Sequence, residues 1–179
     1  RHIEIPRRQR TPAQKAQDLS YSPSMQKLVD EHKLIKRLLA LIPTMLHGLD
    51  LSTGDGRQGV LAGLDFIRSF ADRYHHAKEE DLLFKYFDAS LDILQVMRAD
   101  HETARAHVRA VQEAVDRQDV AGVAEHLSAY RELLTEHIHK EDDILYPWMD
   151  RQLSDRQVGQ LFAAFSEAEG LLDEVRRRG

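Results

Sequence analysis

The 179-residue chain carries 30 Asp and Glu against 25 Lys and Arg, a formal net charge of −5, which leaves no global positive field to hold nucleic acid. Without cysteine it has no disulfide, no thiolate metal site and no cysteine nucleophile, so a metal would have to be held by histidine and carboxylate; the lack also fits a reducing, cytoplasmic setting. Nine glycines and five prolines in a chain that is 42% hydrophobic, 31% charged and only 7% aromatic favour helices over sheet, and the length suits one domain.

Residues 1–21 are polar, basic and aperiodic and read as an N-terminal tail or arm. They lack the apolar stretch of a signal peptide, and nowhere does an apolar run approach the roughly 20 residues of a membrane span. Because the chain begins with Arg1, a missing upstream segment or partner domain stays open.

The bundle itself is expected from residue 22 to 179. A first helix is predicted after Ser22 as N-cap with Pro23 in the first turn, its face running Leu28, His32, Ile35, Leu39, Ile42 and Leu46, with Pro43 threatening its last turn. Asp55 with Gln58 reads as the start of a second helix with the face Val60, Leu64, Ile67, Ala71, His75, Glu79 and Leu82. A third carries Leu94, Met97, His101, Ala104, Val108, Val111 and Val115, and a fourth Val123, Leu127, Tyr130, Leu134, His137, Glu141, Ile144 and Trp148. Ser154 with Gln157 forms a capping box, framed by Leu153 and Val158, that opens a C-terminal helix over about 154–177. Long helices with short connections predict an all-α fold, an antiparallel up-down four-helix bundle with one added C-terminal helix.

Polar residues interrupt four otherwise apolar faces, and they repeat. "HHAKEEDLLF" at 75–84 aligns without a gap on "HIHKEDDILY" at 137–146, setting His75 on His137, Lys78 on Lys140 and Glu79 on Glu141, with an acid next in both. His76 falls on Ile138, so the echo selects the pair His75 and Glu79 and leaves His76 on a flank. "EHKLIK" and "DHETAR" echo each other around His32 and His101. The chain reads as two helical hairpins, each supplying His and then His-x-x-x-Glu.

Any one of these histidines alone would more often be a satisfied core or surface residue than a ligand. Six polar groups at core positions, however, carry a heavy desolvation penalty that a metal centre relieves. Imidazole and carboxylate without thiolate suit iron, manganese or zinc, and bundle sites are built from inward-projecting side chains of this kind. If Glu79 and Glu141 bridge two ions, each also takes two imidazoles, and an oxo or hydroxo bridge leaves one position open for a small ligand.

Taken together, His32 in "DEHKL", "HHAKEEDLLF", His101 in "ADHETAR" and "HIHKEDDILYPW", spanning about residues 24–150, resemble the hemerythrin-like, or HHE cation-binding, family. The resemblance implies a non-haem di-iron centre reactive toward oxygen species, with His32, His75, Glu79, His101, His137 and Glu141 as ligands by position. Respiratory hemerythrins carry another histidine where this chain has Arg105, and they use an aspartate where Asp142 stands, so Asp142 rivals Glu141. The hairpin echo keeps Glu141 and brings the chain nearer to the four-histidine, two-glutamate bacterial subtype.

Three functional expectations follow. Binding or sensing of oxygen, nitric oxide or peroxide ranks ahead of a redox enzyme with catalase-like or ferroxidase activity; a metal-stabilised interaction module with a protein partner is the third. Lys36 and Arg105 are expected to pair with nearby acids, and Tyr74, Tyr130 and Tyr146 are candidates to hydrogen-bond a bound oxygen species unless they are plain core or rim aromatics. His107 and His139 read as surface residues, His2, His47 and His126 as ordinary, and Trp148 as core.

Overall fold

A computed structural model describes residues 20–178; the tail expected at 1–21, His2 included, lies almost wholly outside them. No strand occurs among the described residues. Helix α1 is Pro23–Leu46. Helix α2 opens as Gly54–Phe66, passes into π-helical Ile67–His76 and Glu79–Leu83, and closes in the 3-10 turn Phe84–Tyr86. Helix α3 is Asp92–Asp116. Helix α4 runs from Val120–Lys140 through a π-helical turn, Glu141–Leu145, into Tyr146–Gln152. Helix α5 is Asp155–Arg178.

Side-chain pairs fix the directions. Glu31 meets Lys78 while Met45 lies against Gly63; Glu80 meets Arg105 while Arg68 meets Gln112; His101 meets His137 while His107 meets His126; Ser22 meets Asp150 while His32 meets Asp142. Each neighbouring pair therefore runs antiparallel, and α1 to α4 close an up-down ring in which α1 and α3 each flank α2 and α4. Helix α5 lies outside it, against α1 and the π-helical part of α2.

The interior holds two apolar clusters. One gathers Ile35, Leu39, Leu64, Val111, Leu127 and Leu134 towards one end; the other gathers Leu28, Leu83, Leu94, Leu145, Tyr146 and Phe165 towards the opposite end. Along every helix of the ring the polar residues fall between them: His32 between Leu28 and Ile35, His75 and Glu79 between Ala71 and Leu83, His101 between Met97 and Ala104, His137 and Glu141 between Leu134 and Leu145. Burial on both sides, about 1.5–3 kcal/mol for each fully buried large aliphatic side chain, clamps a polar layer that has little affinity for itself.

Local starts and stops differ in places from the sequence expectation. Ser22 occupies the N-cap position of α1 but its hydroxyl donates to Asp150 rather than capping the helix. Pro43 is accommodated inside α1, which continues to Leu46. Helix α2 is capped by Thr53, whose hydroxyl accepts from Gly56 N–H, instead of by Asp55 with Gln58. The Ser154 and Gln157 box forms in both directions, at 2.9 and 3.2 Å.

The π-helical turns matter most. Their wider turns advance the chain through a smaller angle per residue, so the inward face slips by a residue relative to a plain α-helix. Ile144 is accordingly 62% exposed and Leu82 only half-buried, while Leu145 and Leu83 are buried. Trp148 is half-buried against Phe87 rather than deep in the core.

Candidate metal centre

Seven ionisable side chains converge in the polar layer, each at most 3% exposed: His32 from α1, His75, His76 and Glu79 from α2, His101 from α3, and His137 and Glu141 from α4. All six residues singled out from the sequence are there. The seventh, His76, was expected on a flank; π-helical Ile67–His76 brings two consecutive histidines inward, where a regular α-helix would hold them about 100° apart.

They form two groups, each with ligand atoms within 4.8 Å of one another and able to hold a cation: His32, His75, Glu79 and Glu141; and His76, Glu79, His101 and His137. Glu79 belongs to both. Its Oε1 lies 3.5 Å from His75 Nε2 and its Oε2 3.2 Å from His101 Nε2. Glu141, assigned to the first group, also touches His137 of the second.

The outward-facing ring nitrogens explain the orientation. Glu31 on α1 accepts from His75 Nδ1 on α2 at 2.9 Å; Glu80 on α2 accepts from His101 Nδ1 on α3 at 2.6 Å; Asp100 on α3 accepts from His137 Nδ1 on α4 at 3.0 Å; Asp142 on α4 accepts from His32 Nδ1 on α1 at 2.7 Å. Each helix thus hands a carboxylate to the next helix's histidine, closing a circuit around the bundle. His76 Nδ1 faces Asp72 at 3.7 Å. With the proton held at Nδ1, each Nε2 lone pair turns inward, the arrangement that orients imidazole towards a metal.

Electrostatics keep most of this circuit ionised. The hydrogen bond from His137 holds Asp100 below its ordinary pKa. Burial opposes ionisation of Glu80 and Asp142, but bonds from His101 and His32 outweigh it and lower both. Burial opposes ionisation of Asp72, but the nearby His76 and the hydrogen bond from Arg105 outweigh it and bring it down to about 2. Glu31 is the exception: burial raises it in spite of Lys78.

Asp142 is therefore committed to His32 Nδ1 and to Lys36 at 3.0 Å, leaving Glu141 as the wholly buried carboxylate aimed inward. The chemistry inside the ring favours a cation. His75 Nε2, Glu79 Oε2 and both Glu141 oxygens are buried and make no regular hydrogen bond; Glu79 Oε2 and Glu141 have only their close approaches to His101 Nε2 and His137 Nε2. His101 Nε2 and His137 Nε2 face each other at 3.1 Å, a contact that neither two lone pairs nor two N–H groups satisfy. Orphaned acceptors facing one another cost several kcal/mol in a dry interior and are satisfied together by positive charge placed among them.

Around the centre, Tyr146 is buried, its hydroxyl donating to Glu79 and lying 3.4 Å from His32 Nε2. Tyr74 instead sits under Lys78 Nζ, at 4.1 Å from the ring centroid, and Tyr130 is buried in the larger apolar cluster with its hydroxyl unpartnered. Arg105 binds Asp72, Glu80 and Glu102. His139 is exposed beside Asp143; His107 pairs with His126, at 3.2 Å between Nδ1 atoms, a contact the sequence did not announce. Lys78, buried, donates to Glu31 at 2.5 Å and to Glu169 of α5 at 3.0 Å, joining His75 to the outer helix through Glu31. The carboxylate circuit was visible as an unused signal: the acid before His32 and His101, and the acid after Glu79 and Glu141, are part of the same repeat.

A family model described as the hemerythrin HHE cation-binding domain matches residues 25–149. Uncharacterized proteins of Mycobacterium tuberculosis and Mycobacterium bovis are similar at 22% identity over 151 residues, covering 79% of this chain and 59% of theirs, so the chain spans about three fifths of the length of these relatives. No solved structure matches significantly.

Proposed function

Since the chain belongs to the hemerythrin HHE cation-binding domain family, we propose that its polar layer holds two non-haem irons and that it binds or senses oxygen, nitric oxide or peroxide there, in a cytoplasmic setting. The observation that carries this reading is the pair of ligand groups sharing Glu79, with each Nε2 turned inward by a carboxylate at Nδ1. One iron would be held by His32, His75, Glu79 and Glu141, the other by His76, Glu79, His101 and His137, with Glu141 reaching the second ion beside His137. Five imidazoles and two carboxylates suit iron better than magnesium or calcium, which favour all-oxygen sites. When bound, such a pair supplies reversible or redox chemistry toward small oxygen and nitrogen species.

The chain's own residues supply orientation and dryness. The carboxylate circuit fixes the imidazole rings, and the apolar clusters exclude bulk water on both sides. One observation favours peroxide turnover as a second reading: the Tyr146 hydroxyl holds a proton at Glu79, inside the layer. Metal analysis of protein from iron-supplemented cells tests the proposal. Two irons per chain are expected, with His76→Ala and Glu141→Ala each lowering the content. A single zinc indifferent to both substitutions would reject it. If iron is found, Tyr146→Phe separates the readings, since binding of nitric oxide should survive it and repeated peroxide consumption should not.

A further inference from the structure

A cavity of about 220 Å³ opens between α2 and α3 with α4 beneath, beside the polar layer rather than within it. Arg68, Arg73, Arg105 and Arg109 line it against a single carboxylate, Asp72, in a protein whose formal net charge is −5. Arg105 already neutralises Asp72 at 2.8 Å. Arg68 reaches only the neutral Gln112, and Arg73 and Arg109 form no hydrogen bond or ion pair among the described residues. Three guanidinium groups thus retain uncompensated charge around one opening.

Tyr130 supplies an independent sign of a ligand. It lines the same cavity, its side chain is wholly buried, and its hydroxyl has no partner. A buried hydroxyl left unsatisfied is costly, and an acceptor entering the cavity would remove that penalty. Apolar wall is provided by Ile67 and Val108. The volume far exceeds the roughly 30 Å³ share of a water molecule in the liquid, so a body of several non-hydrogen atoms fits.

We propose that this cavity is a binding site for a small organic carboxylate, its carboxyl group held by Arg73 and Arg109 and reached by the Tyr130 hydroxyl, its short apolar body against Ile67 and Val108. Guanidinium grips a carboxylate with two parallel N–H donors, and the apolar wall separates such a molecule from a bare inorganic oxyanion. His76 forms the inner boundary, so the occupant would lie one imidazole away from the candidate metal layer. The site does not depend on the layer's being loaded.

Calorimetric titration of the full chain, with metal content measured beforehand and heats recorded at two temperatures, would use butyrate, succinate and inorganic phosphate as probes. Butyrate or succinate should saturate, and Arg73→Ala with Arg109→Ala should weaken binding about tenfold or more, since each tenfold change in Kd corresponds to about 1.4 kcal/mol. Tyr130→Phe should weaken it several-fold at unchanged helicity and metal content. Phosphate binding as tightly as the carboxylates would overturn the assigned ligand class. Absence of saturable heat with all three probes at both temperatures, or affinity unchanged in the variants, would overturn the site. None of these readouts requires iron or redox activity, so failure here leaves the di-iron reading standing, and the reverse also holds.

Discussion

Adjacent carboxylates at 141 and 142 perform different tasks. Glu141 is wholly buried and aimed into the layer beside His137, whereas Asp142 spends its oxygens on His32 Nδ1 and Lys36. Glu141→Ala should therefore abolish tight binding at one of the two proposed ion positions. Asp142→Ala should leave the stoichiometry at saturation intact and weaken affinity about 10–100-fold, the usual consequence of releasing a ligand histidine from its orienting partner. Competition against a chelator of known affinity distinguishes these outcomes; equal effects from the two substitutions would mean the roles are shared. The repeat in the sequence picked Glu141 because it aligns with Glu79. It could not show that Asp142 serves a histidine 110 residues earlier, since that contact exists only once the ring closes.

Helices were legible as elements and less so as faces. Apolar spacing located all five, and the capping box at Ser154 and Gln157 forms as expected. The π-helical segments were not legible, because a residue-by-residue pattern carries the register of a regular helix forward unless something breaks it, and no glycine or proline marks 67–83. The cost of that assumption is concrete: Ile144 and Leu82 were placed inward and His76 on a flank. Deleting Asp143, whose side chain is 57% exposed within the π-helical turn, should convert that turn towards a regular helix while preserving the register of Leu145 and Tyr146. Helicity by circular dichroism should survive, and metal content should fall because Glu141 and His137 rotate relative to the following segment. Full metal retention would show that the wider turn does not set the ligand geometry.

For the whole molecule, protons compete with the proposed metal for the same ring nitrogens. In the metal-free chain, burial lowers the histidines, but Glu79 and Glu80 raise His101 to about 9, and Glu141 with Asp100 raises His137 to about 10, from an ordinary 6.5. Groups raised on folding stabilise fully below the unfolded value and lose that contribution as pH climbs through the folded one. The metal-free protein should thus lose stability between about pH 6.5 and 9–10, while loaded protein, whose ligands must be deprotonated, should gain metal affinity over the same interval. Thermal unfolding of both forms across that range checks the sign; parallel curves would contradict it. The fold class and the six ligand candidates were readable because both rest on periodicity. Proton balance was not, because it depends on which carboxylates meet which rings across helices.

Glu169, on a helix that contributes nothing to the ring, reaches His75 through Lys78 and Glu31. Thermodynamic reciprocity gives that path a meaning in both directions: any factor by which the docked outer helix tightens the ion is the factor by which the ion tightens the outer helix. In Glu169→Ala, metal affinity should fall, and filling the layer should no longer stabilise the docked α5 by the corresponding factor, read as lost protection from amide exchange. Were the layer filled as proposed, its occupancy would be felt on the outer surface of the last helix.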